Sequence, residues 1–498
     1  MRDALFIGID IGTQGTKAVL CDVDGQILET AFVSSKLIYE DAVTVYEDAE
    51  DIFSSVLTVI GEVAGRVGEK SKQIRAIGID AQMAGIMGIK KDFTAATPYD
   101  SWLDLRCSKY TELLERTVGE EAIEYSGGQF IHAHAPKILW WKNERPDEYR
   151  EIEKFVQPNG YVAGRLCGLS SDEAFMDYTF LHFNIFSDNK NCCFREEMLE
   201  QFGIAKEKMP KIVSPETVVG EILPEIGARC HLPEGVKVIA GCGDTAASSL
   251  GAGITRAGLA YDVAGTASVF ACCTDRFVPD TKKKTILFSR SVCEGLYLPL
   301  AYISGGGLCL RWYSNLTGQS LDELNCLVDP TVVGDTPIFL PHFSGRTCPL
   351  DDQVSGAFLG LNSRMQTGDL YRSILEGIAF EYRSYWDIMH DNGCVTDNTV
   401  VRGVGGGAKS AEFSQIKADV LGLTYTVPEK VDSAPVAMAL LAAHAIGART
   451  ESLQELFEPG ESIGYEPNRE LAEHYEHRSA EYLHLLDTYG TYAGRDMR

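Results

Sequence analysis

The sequence predicts a mixed α/β protein with two related domains and a cleft between them. Strand and helix signals alternate along the first 82 residues, and one Gly- and Thr-rich hairpin pattern occurs twice, at 6–25 and at 258–275. The chain has 498 residues, which is more than a single hydrophobic core usually serves. Together these observations indicate a duplicated α/β unit.

The first hairpin opens the chain. The apolar run "ALFIGIDIG" predicts a strand, and "TKAVLCDVDGQIL" predicts a second strand after a tight turn. This turn offers hydroxyls, bare backbone amides and a lysine to an anion, and it consists of Gly12, Thr13, Gln14, Gly15, Thr16 and Lys17. We therefore predict a phosphate-binding loop between two strands. A helix at "DIFSSVLTVIGEVAGRV" and a strand at "IRAIGIDAQ" follow it.

The second hairpin pattern is "GLAYDVAGTASVFACCTD". With a one-residue offset, four of its residues match Asp10, Gly12, Thr13 and Thr16, namely Asp262, Gly265, Thr266 and Ser268. Gly and Thr are common in turns, so coincidence stays open beside duplication. Two such loops would grip one phosphate chain from two sides. We place the boundary in the Gly- and Ala-rich stretch 248–258, which gives domains 1–250 and 251–498.

An acidic residue follows a third apolar strand, in "VIAGCGDTAASSLGAG". Asp244 stands where the strand ends and a helix of small residues begins. The first amides of that helix would help to keep its carboxylate ionised, which suits a general base. The alternative is that Asp244 only caps the helix, the commoner role of Asp at such a junction.

A glycine loop between a strand and a helix occurs in "TVVRGVGGGAKSAEFSQIKADVLGL". Gly403–Ala408 match G-x-G-x-x-A, the dinucleotide fingerprint of oxidoreductases. The loop lies far toward the C-terminus, and no later strand ends in an acidic residue placed for a ribose. An adenosine pocket is therefore favoured over a dinucleotide site. The spacing G-x-x-x-x-G-K-[ST] of a P-loop is absent from the glycine-rich stretches.

Two segments have the composition of a sugar pocket. "IGIDAQMAGIMGI" carries Gln82 and Met83 at the end of a strand. "YDSWLDLRC" carries Trp102, Asp104 and Arg106 at alternating positions, which would share one face if the segment were a strand. An aromatic face with planar polar groups binds sugar hydroxyls. The alternative for the second segment is a surface strand with an ion pair.

The histidines of "IHAHAPKILWW" have several interpretations. His132 and His134 form an H-x-H pair, but no third metal ligand is evident. We favour a position facing the cleft, or simple packing beside Trp140, over a metal site.

The composition of the chain indicates which binding partners and which cellular compartment to expect. The net charge is −26, which disfavours nonspecific contact with nucleic acid or anionic membrane. The 14 cysteines show no C-x-x-C spacing, so we expect reduced thiols in a cytoplasmic protein rather than a zinc or redox site. No signal peptide or membrane-spanning run is evident. We expect a small-molecule substrate, with a homodimer as one option.

These motifs, in this order, resemble the FGGY family of carbohydrate kinases, and its xylulokinase-like branch most closely. "GIDIGTQGTKAVL" is similar to the first phosphate hairpin of the family, "GCGDTAAS" to its catalytic segment, "AGTASVF" to its second phosphate loop and "GGGAKSAEFSQIKADVLGL" to its adenosine signature. "HAPKILWWKNERPDEYREI" and "QPNGYVAGRLCG" are similar to the stretch that joins the substrate pocket to the first domain. The resemblance runs from about Phe6 to Ala443.

The resemblance implies an actin-like ATPase fold, in which two ribonuclease-H-like domains close over ATP and a sugar. Asp244 would be the general base, and Asp10, with Asp244, would lie at Mg²⁺, which is held through water. The resemblance places ATP against Gly12, Thr13, Gln14, Gly15, Lys17, Gly265, Thr266, Gly306, Gly406, Gly407, Ala408 and Ser410. It places the sugar against Gln82, Met83, Trp102, Asp104, His132 and Asp244.

The sugar half departs from the family pattern. Xylulokinases carry Gly-Gln-Met-His-Gly where this chain has Ala81–Gly85, so a histidine that would face the sugar is replaced by Ala84. Where the family has a Ser-rich stretch, this chain has Thr179–His182. After the adenosine signature, where the family usually has an acidic residue, this chain reads "VDSAP".

We therefore predict an ATP-dependent kinase that phosphorylates a terminal hydroxyl of a ketopentose, with xylulose first. The alternatives are a kinase for another ketose or polyol, such as ribulose, L-fuculose, erythritol or glycerol, and a non-kinase actin-like ATPase acting on protein partners. A sugar-binding regulator with weak catalysis and a nicotinamide oxidoreductase are further alternatives.

Overall fold

The computed structural model describes residues 3–265, 267–351 and 353–493, and the chain divides into two compact units. Unit 1 holds the chain up to Thr255 together with Ser289–Gly295 and Asp432–Glu458, and unit 2 holds the rest. The division predicted at 250/251 differs from these units in the two returning segments. The longer returning segment belongs to unit 1 because its apolar run 434–445 forms a helix that packs on the first sheet.

The strands, in chain order, are β1 (Leu5–Gly12), β2 (Gly15–Asp22), β3 (Ile27–Ser34), β4 (Ile38–Tyr39), β5 (Val45–Glu47), β6 (Ile74–Ala81), β7 (Met87–Ile89), β8 (Tyr99–Asp100), β9 (Lys154–Val156), β10 (Phe175–Asp177), β11 (Ser187–Asp188), β12 (Cys193–Phe194), β13 (Lys211–Val213), β14 (Val218–Glu221), β15 (Lys237–Ile239), β16 (Cys242–Gly243), β17 (Leu259–Ala264), β18 (Ser268–Cys272), β19 (Leu287–Arg290), β20 (Tyr297–Ile303), β21 (Ile338–Leu340), β22 (Ala357–Leu359), β23 (Val400–Val404), β24 (Tyr425–Pro428) and β25 (Ser462–Tyr465).

The α-helices are α1 (Ala49–Arg66), α2 (Ser108–Ser126), α3 (His134–Glu144), α4 (Pro146–Glu151), α5 (Pro158–Cys167), α6 (Glu196–Gln201), α7 (Pro224–Arg229), α8 (Asp244–Gly251), α9 (Gly306–Thr317), α10 (Leu321–Asn325), α11 (Thr367–Asp391), α12 (Ala411–Leu421), α13 (Ala434–Ala445), α14 (Leu453–Leu456) and α15 (Ala472–Ala493). Short 3-10 helices cover Gly68–Gln73, Ser171–Glu173, Tyr178–Phe183, Lys206–Lys208, Gly406–Lys409 and Arg469–Leu471.

The main sheet of unit 1 has the strand order β14-β15-β6-β1-β2-β3. β1 pairs antiparallel with β2 and parallel with β6, and β6 pairs parallel with β15. α13 lies directly on β1 and β6, since an added Cβ at Gly8 would fall 1.6 Å from the Pro435 carbonyl oxygen. An added Cβ at Gly78 would likewise fall 2.3 Å from the Met438 oxygen, so both glycines are required for this close packing.

The main sheet of unit 2 repeats this arrangement. Its order is β19-β20-β18-β17-β23-β24-β25, with β17 antiparallel to β18 and parallel to β23. The hairpin-plus-parallel-strand pattern of β1, β2 and β6 thus recurs in β17, β18 and β23. This recurrence favours duplication over coincidence and matches the ribonuclease-H-like halves that the sequence predicts.

The predicted elements are largely confirmed. Both hairpins, the helix α1, the strand β6, the helix after Gly243 and the strand–loop–helix at 400–421 form as expected. Trp102, Asp104 and Arg106 do not share the face of a strand, because 102–106 lies in turns and irregular structure between β8 and α2. Asp104 accepts a hydrogen bond from the backbone N–H of Val45 and stabilises the turn instead. Among the described residues, no helix is long and apolar enough to cross a membrane.

Candidate active site

Three aspartates meet at one edge of the first sheet. Asp10 near the end of β1 lies opposite Asp80 near the end of β6 in the parallel register, and Asp80 also lies opposite Cys242 of β16. Asp244 follows β16 two residues after that cysteine. Parallel strands present their carboxyl ends at a common edge, which is where α/β proteins bind ligands.

The electrostatics of these aspartates confirm their closeness. Burial raises the pKa of Asp10, with Asp80 and Lys17 acting in the opposite direction. Burial, and then the charge of Asp10, raises the pKa of Asp244 to about 6. Burial and the charges of Asp10 and Asp244 hold the pKa of Asp80 well above its usual range. Carboxylates held this close are typical of catalytic and metal sites.

Asp80 was missed by the sequence prediction. Its side chain is fully buried, no described residue donates a hydrogen bond to its oxygens, and its raised pKa lets the Asp80 carboxyl donate a hydrogen bond to Asp10. A signal was available, because Ile-Gly-Ile-Asp occurs at both 7–10 and 77–80. The parallel pairing of these two strands brings the repeated aspartates side by side.

Asp244 is the first residue of α8, and Gly243 is the cap. Asp244 therefore does not occupy the N-cap position itself, and its role as a base stays a prediction. Its Oδ1 accepts a 2.6 Å hydrogen bond from the Thr245 N–H. Gly243 leaves room for Met83, whose Cε would lie 2.3 Å from an added Cβ. The predicted base and one predicted sugar residue are thus neighbours.

The aspartate centre suits a cation that is held partly through water. No group of three or more His, Cys, Asp or Glu side chains among the described residues is arranged to ligate a metal directly. A hydrated divalent ion would relieve the mutual repulsion of the three carboxylates, because no described residue donates a hydrogen bond to Asp80. Asp10 and Asp244 remain the predicted residues for Mg²⁺.

A chain of hydrogen bonds joins the hairpin turn to the predicted sugar residues. The Trp102 indole N–H donates to Thr13 Oγ1 over 2.9 Å, and Thr13 Oγ1 donates to Gln82 Oε1 over 3.3 Å. Gln82 Nε2 donates to Glu47 Oε1 over 2.6 Å. Residues that are up to 89 positions apart are thereby held together. Glu47, buried beneath Gln82, carried no sequence signal.

Asp104 and Arg106 contribute to the structure of this region. Asp104 Oδ2 accepts hydrogen bonds from the Val45 N–H and from Arg106 Nε, each within 2.9 Å. Arg106 Nη2 donates to Asp100 over 2.6 Å, and its guanidinium lies 4.2 Å from the centre of the Trp140 ring. Trp102 is 46% exposed, whereas Asp104 is buried. A direct contact of Asp104 with a sugar stays a prediction.

The two histidines differ in environment. His132 is partly buried, and burial together with the charge of Lys137 lowers its pKa. His134 is fully buried at the start of α3, and burial lowers its pKa to about 3. Both rings are therefore neutral near pH 7. The sugar contact predicted for His132 stays a prediction.

The first hairpin turn is tightly built. Gln14 accepts a 3.1 Å hydrogen bond from the Ser35 N–H, and Gly12 accepts one from the Ser35 hydroxyl over 3.2 Å. An added Cβ at Gly15 would lie 2.4 Å from the Phe32 ring. Lys17 stands opposite Asp10 in the β1–β2 register. The turn therefore places a cation and backbone amides beside the aspartate centre, as a phosphate loop requires.

In unit 2, several glycines lie close to the end of β17. Gly405 has φ of +84°, and an added Cβ there would lie 2.9 Å from the Ala264 oxygen. Added Cβ atoms at Gly407 and Gly306 would lie 2.6 Å from Ala264 Cβ and 2.1 Å from Ser268 Oγ. These contacts pack the glycine loop and the start of α9 tightly against β17 and β18. Thr266, also predicted to bind phosphate, lies outside the described residues.

Ser410 closes this loop at the start of α12. Its hydroxyl accepts a 3.1 Å hydrogen bond from the Phe413 N–H, which makes Ser410 the cap of the helix. Adenosine contacts by Ser410 and its neighbours stay predictions.

The pKa of Asp244 predicts how activity depends on pH. A base with a pKa of about 6 is protonated in acid, so kcat/KM should fall about tenfold per pH unit below pH 6 and level off above pH 7. A cation beside Asp244 favours its ionised form, so raising the Mg²⁺ concentration should move this fall to lower pH. The measurement is kcat/KM from pH 5 to 9 at two Mg²⁺ concentrations. Constant kcat/KM down to pH 5 at low Mg²⁺ would contradict the assignment of the base.

Asp80→Asn should stabilise the fold. The folded-state pKa of Asp80 lies above its unfolded value, so the folded state binds more protons and the wild type loses stability as the pH rises from about 4. An asparagine carries no charge at any of these pH values, so the variant does not lose this stability. We expect its free energy of unfolding to exceed that of the wild type by about 1–3 kcal/mol at pH 8, and by less toward pH 4. Urea unfolding at several pH values measures it, with the exposed Asp3→Asn as control. Equal effects of the two substitutions at pH 8 would refute this prediction.

Comparisons with known proteins agree with this geometry. Residues 5–251 match the N-terminal domain, and residues 284–446 the C-terminal domain, of the FGGY family of carbohydrate kinases. The xylulose kinase of Escherichia coli K12 is 26% identical over 457 residues, covering 91% of this chain and 92% of that protein. A crystal structure of xylulose kinase from Rhodospirillum rubrum superposes with a TM-score of 0.89 at 23% identity, covering 99% and 100% of the two chains. Gluconate kinase from Lactobacillus acidophilus also gives 0.89, at 22% identity and 99% coverage of both chains.

The superpositions show that the chain has the actin-like two-domain ATPase fold. Two family models together match well over half of the sequence. This chain belongs to the FGGY family of carbohydrate kinases, and it is a sugar kinase.

Proposed function

We propose that this kinase transfers the γ-phosphate of Mg-ATP to a terminal hydroxyl of a short-chain ketose, with D-xylulose first. The observation that carries the proposal is the aspartate centre, in which burial and the charge of Asp10 raise the pKa of Asp244 to about 6 and Met83 packs on the preceding Gly243. A sugar hydroxyl is a weak nucleophile near neutral pH, so a carboxylate must accept its proton. The curated relatives named as xylulose kinases support the choice of sugar.

Different residues of the chain have different roles in this reaction. Asp244 accepts the proton of the attacking hydroxyl, while Trp102 and Gln82 orient the sugar. The amides of the hairpin turn and Lys17 neutralise phosphate charge as it shifts toward the leaving group. A bound Mg²⁺ would supply further charge neutralisation at the phosphates, held through water by Asp10 and Asp244 with Asp80 beside them.

A second candidate is another ketose or a polyol. Ala84, at the position where xylulokinases carry histidine, has the left-handed φ of +63° and keeps partial solvent exposure. A methyl group there offers a substrate neither a hydrogen bond nor a ring. Ribulose, L-fuculose, erythritol and glycerol are therefore included in the test.

The test is ADP release in a coupled assay with each of these compounds, with D- and L-xylulose and with no sugar. We expect strong, sugar-dependent turnover on one of them, together with little ATP hydrolysis when sugar is absent. ATP binding without turnover on any of them would overturn the ketose proposal. Equal ATPase activity with and without sugar would instead favour an ATPase that acts on other partners.

The setting of the enzyme is also a proposal. We infer a cytoplasmic protein that binds neither nucleic acid nor membrane, with a homodimer as one option. The net charge of −26 disfavours binding to nucleic acid and to anionic membrane, and the 14 cysteines, which show no C-x-x-C spacing, support a reducing compartment. Sedimentation of the purified protein tests the homodimer.

A further inference from the structure

Glu47 is a buried carboxylate at the end of the hydrogen-bond chain that joins Trp102, Thr13 and Gln82. It is 3% exposed, and its Oε1 accepts the 2.6 Å hydrogen bond from Gln82 Nε2. Burial raises the pKa of Glu47, and hydrogen bonding by Gln82 and Ser35 acts in the opposite direction. Glu47 belongs to none of the sequence motifs, and the reaction steps assigned to other residues do not involve it.

The two ends of this chain fix the direction of every hydrogen bond in it. The indole N–H of Trp102 can only donate, so Thr13 Oγ1 accepts and its own hydrogen points to Gln82 Oε1. An ionised Glu47 can only accept, so it selects the amide nitrogen of Gln82. The carboxamide of Gln82 is thereby held in one of its two orientations, with its oxygen toward the hairpin turn.

The backbone around Glu47 is held on both sides. Glu47 lies opposite Tyr99 in the antiparallel pairing of β5 with β8, and β8 leads into the segment that carries Trp102. Asp48, the next residue, is the N-cap of α1. The carboxylate therefore meets Gln82 from a fixed position, as a positioning residue requires.

A purely structural role does not account for this carboxylate. In the ranges that the structure describes, no Lys or Arg forms an ion pair with Glu47, and Lys36, which lines the same small cavity, pairs with Asp51 over 3.1 Å. A buried carboxylate without a cation costs stability, whereas an apolar side chain of similar size would fill the space at lower cost. What the carboxylate adds is a hydrogen-bond acceptor for Gln82.

We propose that Glu47 is a positioning residue that orients the Gln82 carboxamide and, through Thr13, the indole of Trp102. This inference rests on the proposed function, in which Gln82 and Trp102 orient the sugar. Without the acceptor the carboxamide is free to rotate, so Thr13 and Trp102 lose their fixed partners. We expect this loss to raise KM for the sugar more than it lowers kcat, because Asp244 keeps its surroundings.

A double-mutant cycle, measured by steady-state kinetics with the preferred sugar, tests the inference. Glu47→Leu removes the acceptor and should lower kcat/KM about 5- to 100-fold, mainly through KM. In a Gln82→Ala background the same substitution should cost less than about twofold, because no carboxamide is left to orient. Glu47→Gln still offers an oxygen to Gln82 and should stay within about threefold of the wild type. Glu40→Leu, at an exposed position between β4 and β5, is the matched control and should leave kcat/KM unchanged.

The indole N–H signal of Trp102 gives a second readout, which needs no sugar. Isotope labelling of the five tryptophans, with Trp102→Phe as reference, assigns this signal in the nuclear magnetic resonance spectrum. We expect it to move to higher field in Glu47→Leu, because a loosened Thr13 hydroxyl accepts the indole hydrogen less well. It should stay in place in Glu40→Leu.

Equal losses of kcat/KM in the two backgrounds, or an unmoved Trp102 signal in folded Glu47→Leu, would overturn the inference. A Glu47→Gln variant as impaired as Glu47→Leu would also overturn it, since the accepting oxygen would then not be what matters. If Glu47→Leu is unfolded by circular dichroism, Glu47→Asp replaces it in both experiments, because the shorter side chain withdraws the carboxylate from Gln82. If no sugar is phosphorylated at all, the proposed function fails, and the Trp102 signal still decides the role of Glu47.

Discussion

Replacing Asp244 by Asn should lower kcat about 100- to 10,000-fold, the usual contribution of a general base. The substitution keeps the shape and the hydrogen bond from the Thr245 N–H but removes the site that takes the proton of the sugar hydroxyl. Because the base acts only as the new bond forms, KM for the sugar should change much less than kcat. The measurement is steady-state kinetics with the preferred sugar, together with ADP binding by calorimetry.

Thr245→Ala is the matched control for this variant. Its hydroxyl donates to Asp244 Oδ1 over 3.2 Å, so its loss disturbs the same carboxylate without removing it. We expect an effect on kcat of less than about tenfold. If Asp244→Asn kept most of its kcat at pH 7.5, another group would have to accept the proton, and the role of Asp244 would reduce to holding the cation.

Lys417→Met should destabilise unit 2 by about 3–5 kcal/mol, the usual cost of leaving one partner of a buried ion pair alone. Lys417 and Asp262 are both fully buried and form an ion pair, and Asp262 also accepts hydrogen bonds from Tyr382 and Tyr425 over 2.7 Å. The measurement is the midpoint of thermal unfolding, with the exposed Lys283→Met as control. The double variant Lys417→Met, Asp262→Asn should recover most of the loss because no buried charge remains. A single variant as stable as its control would refute the prediction.

The two duplicated aspartates have thus taken different roles. Asp262 corresponds to Asp10 in the repeated hairpin. Its charge is compensated by Lys417, and two tyrosines donate hydrogen bonds to it. Asp10 lies instead beside the buried carboxyl of Asp80, to which no described residue donates a hydrogen bond. An unpaired carboxylate cluster lowers stability and is retained where it serves chemistry. In this duplicated fold, unit 1 is the half that supplies the acidic centre.

By itself the sequence determined the local parts of this protein. Both hairpins, the start of α8 at Asp244 and the glycine loop before α12 follow from apolar periodicity and from glycine and turn chemistry, which act over a few residues. Only the tertiary structure decided which side chains meet. Asp80 reaches Asp10 through strand pairing across 70 residues, α13 returns to β1 from the far end of the chain, and the turn around Asp104 replaces the expected strand. Contacts of this kind depend on where the whole chain packs, so no short stretch of sequence contains them.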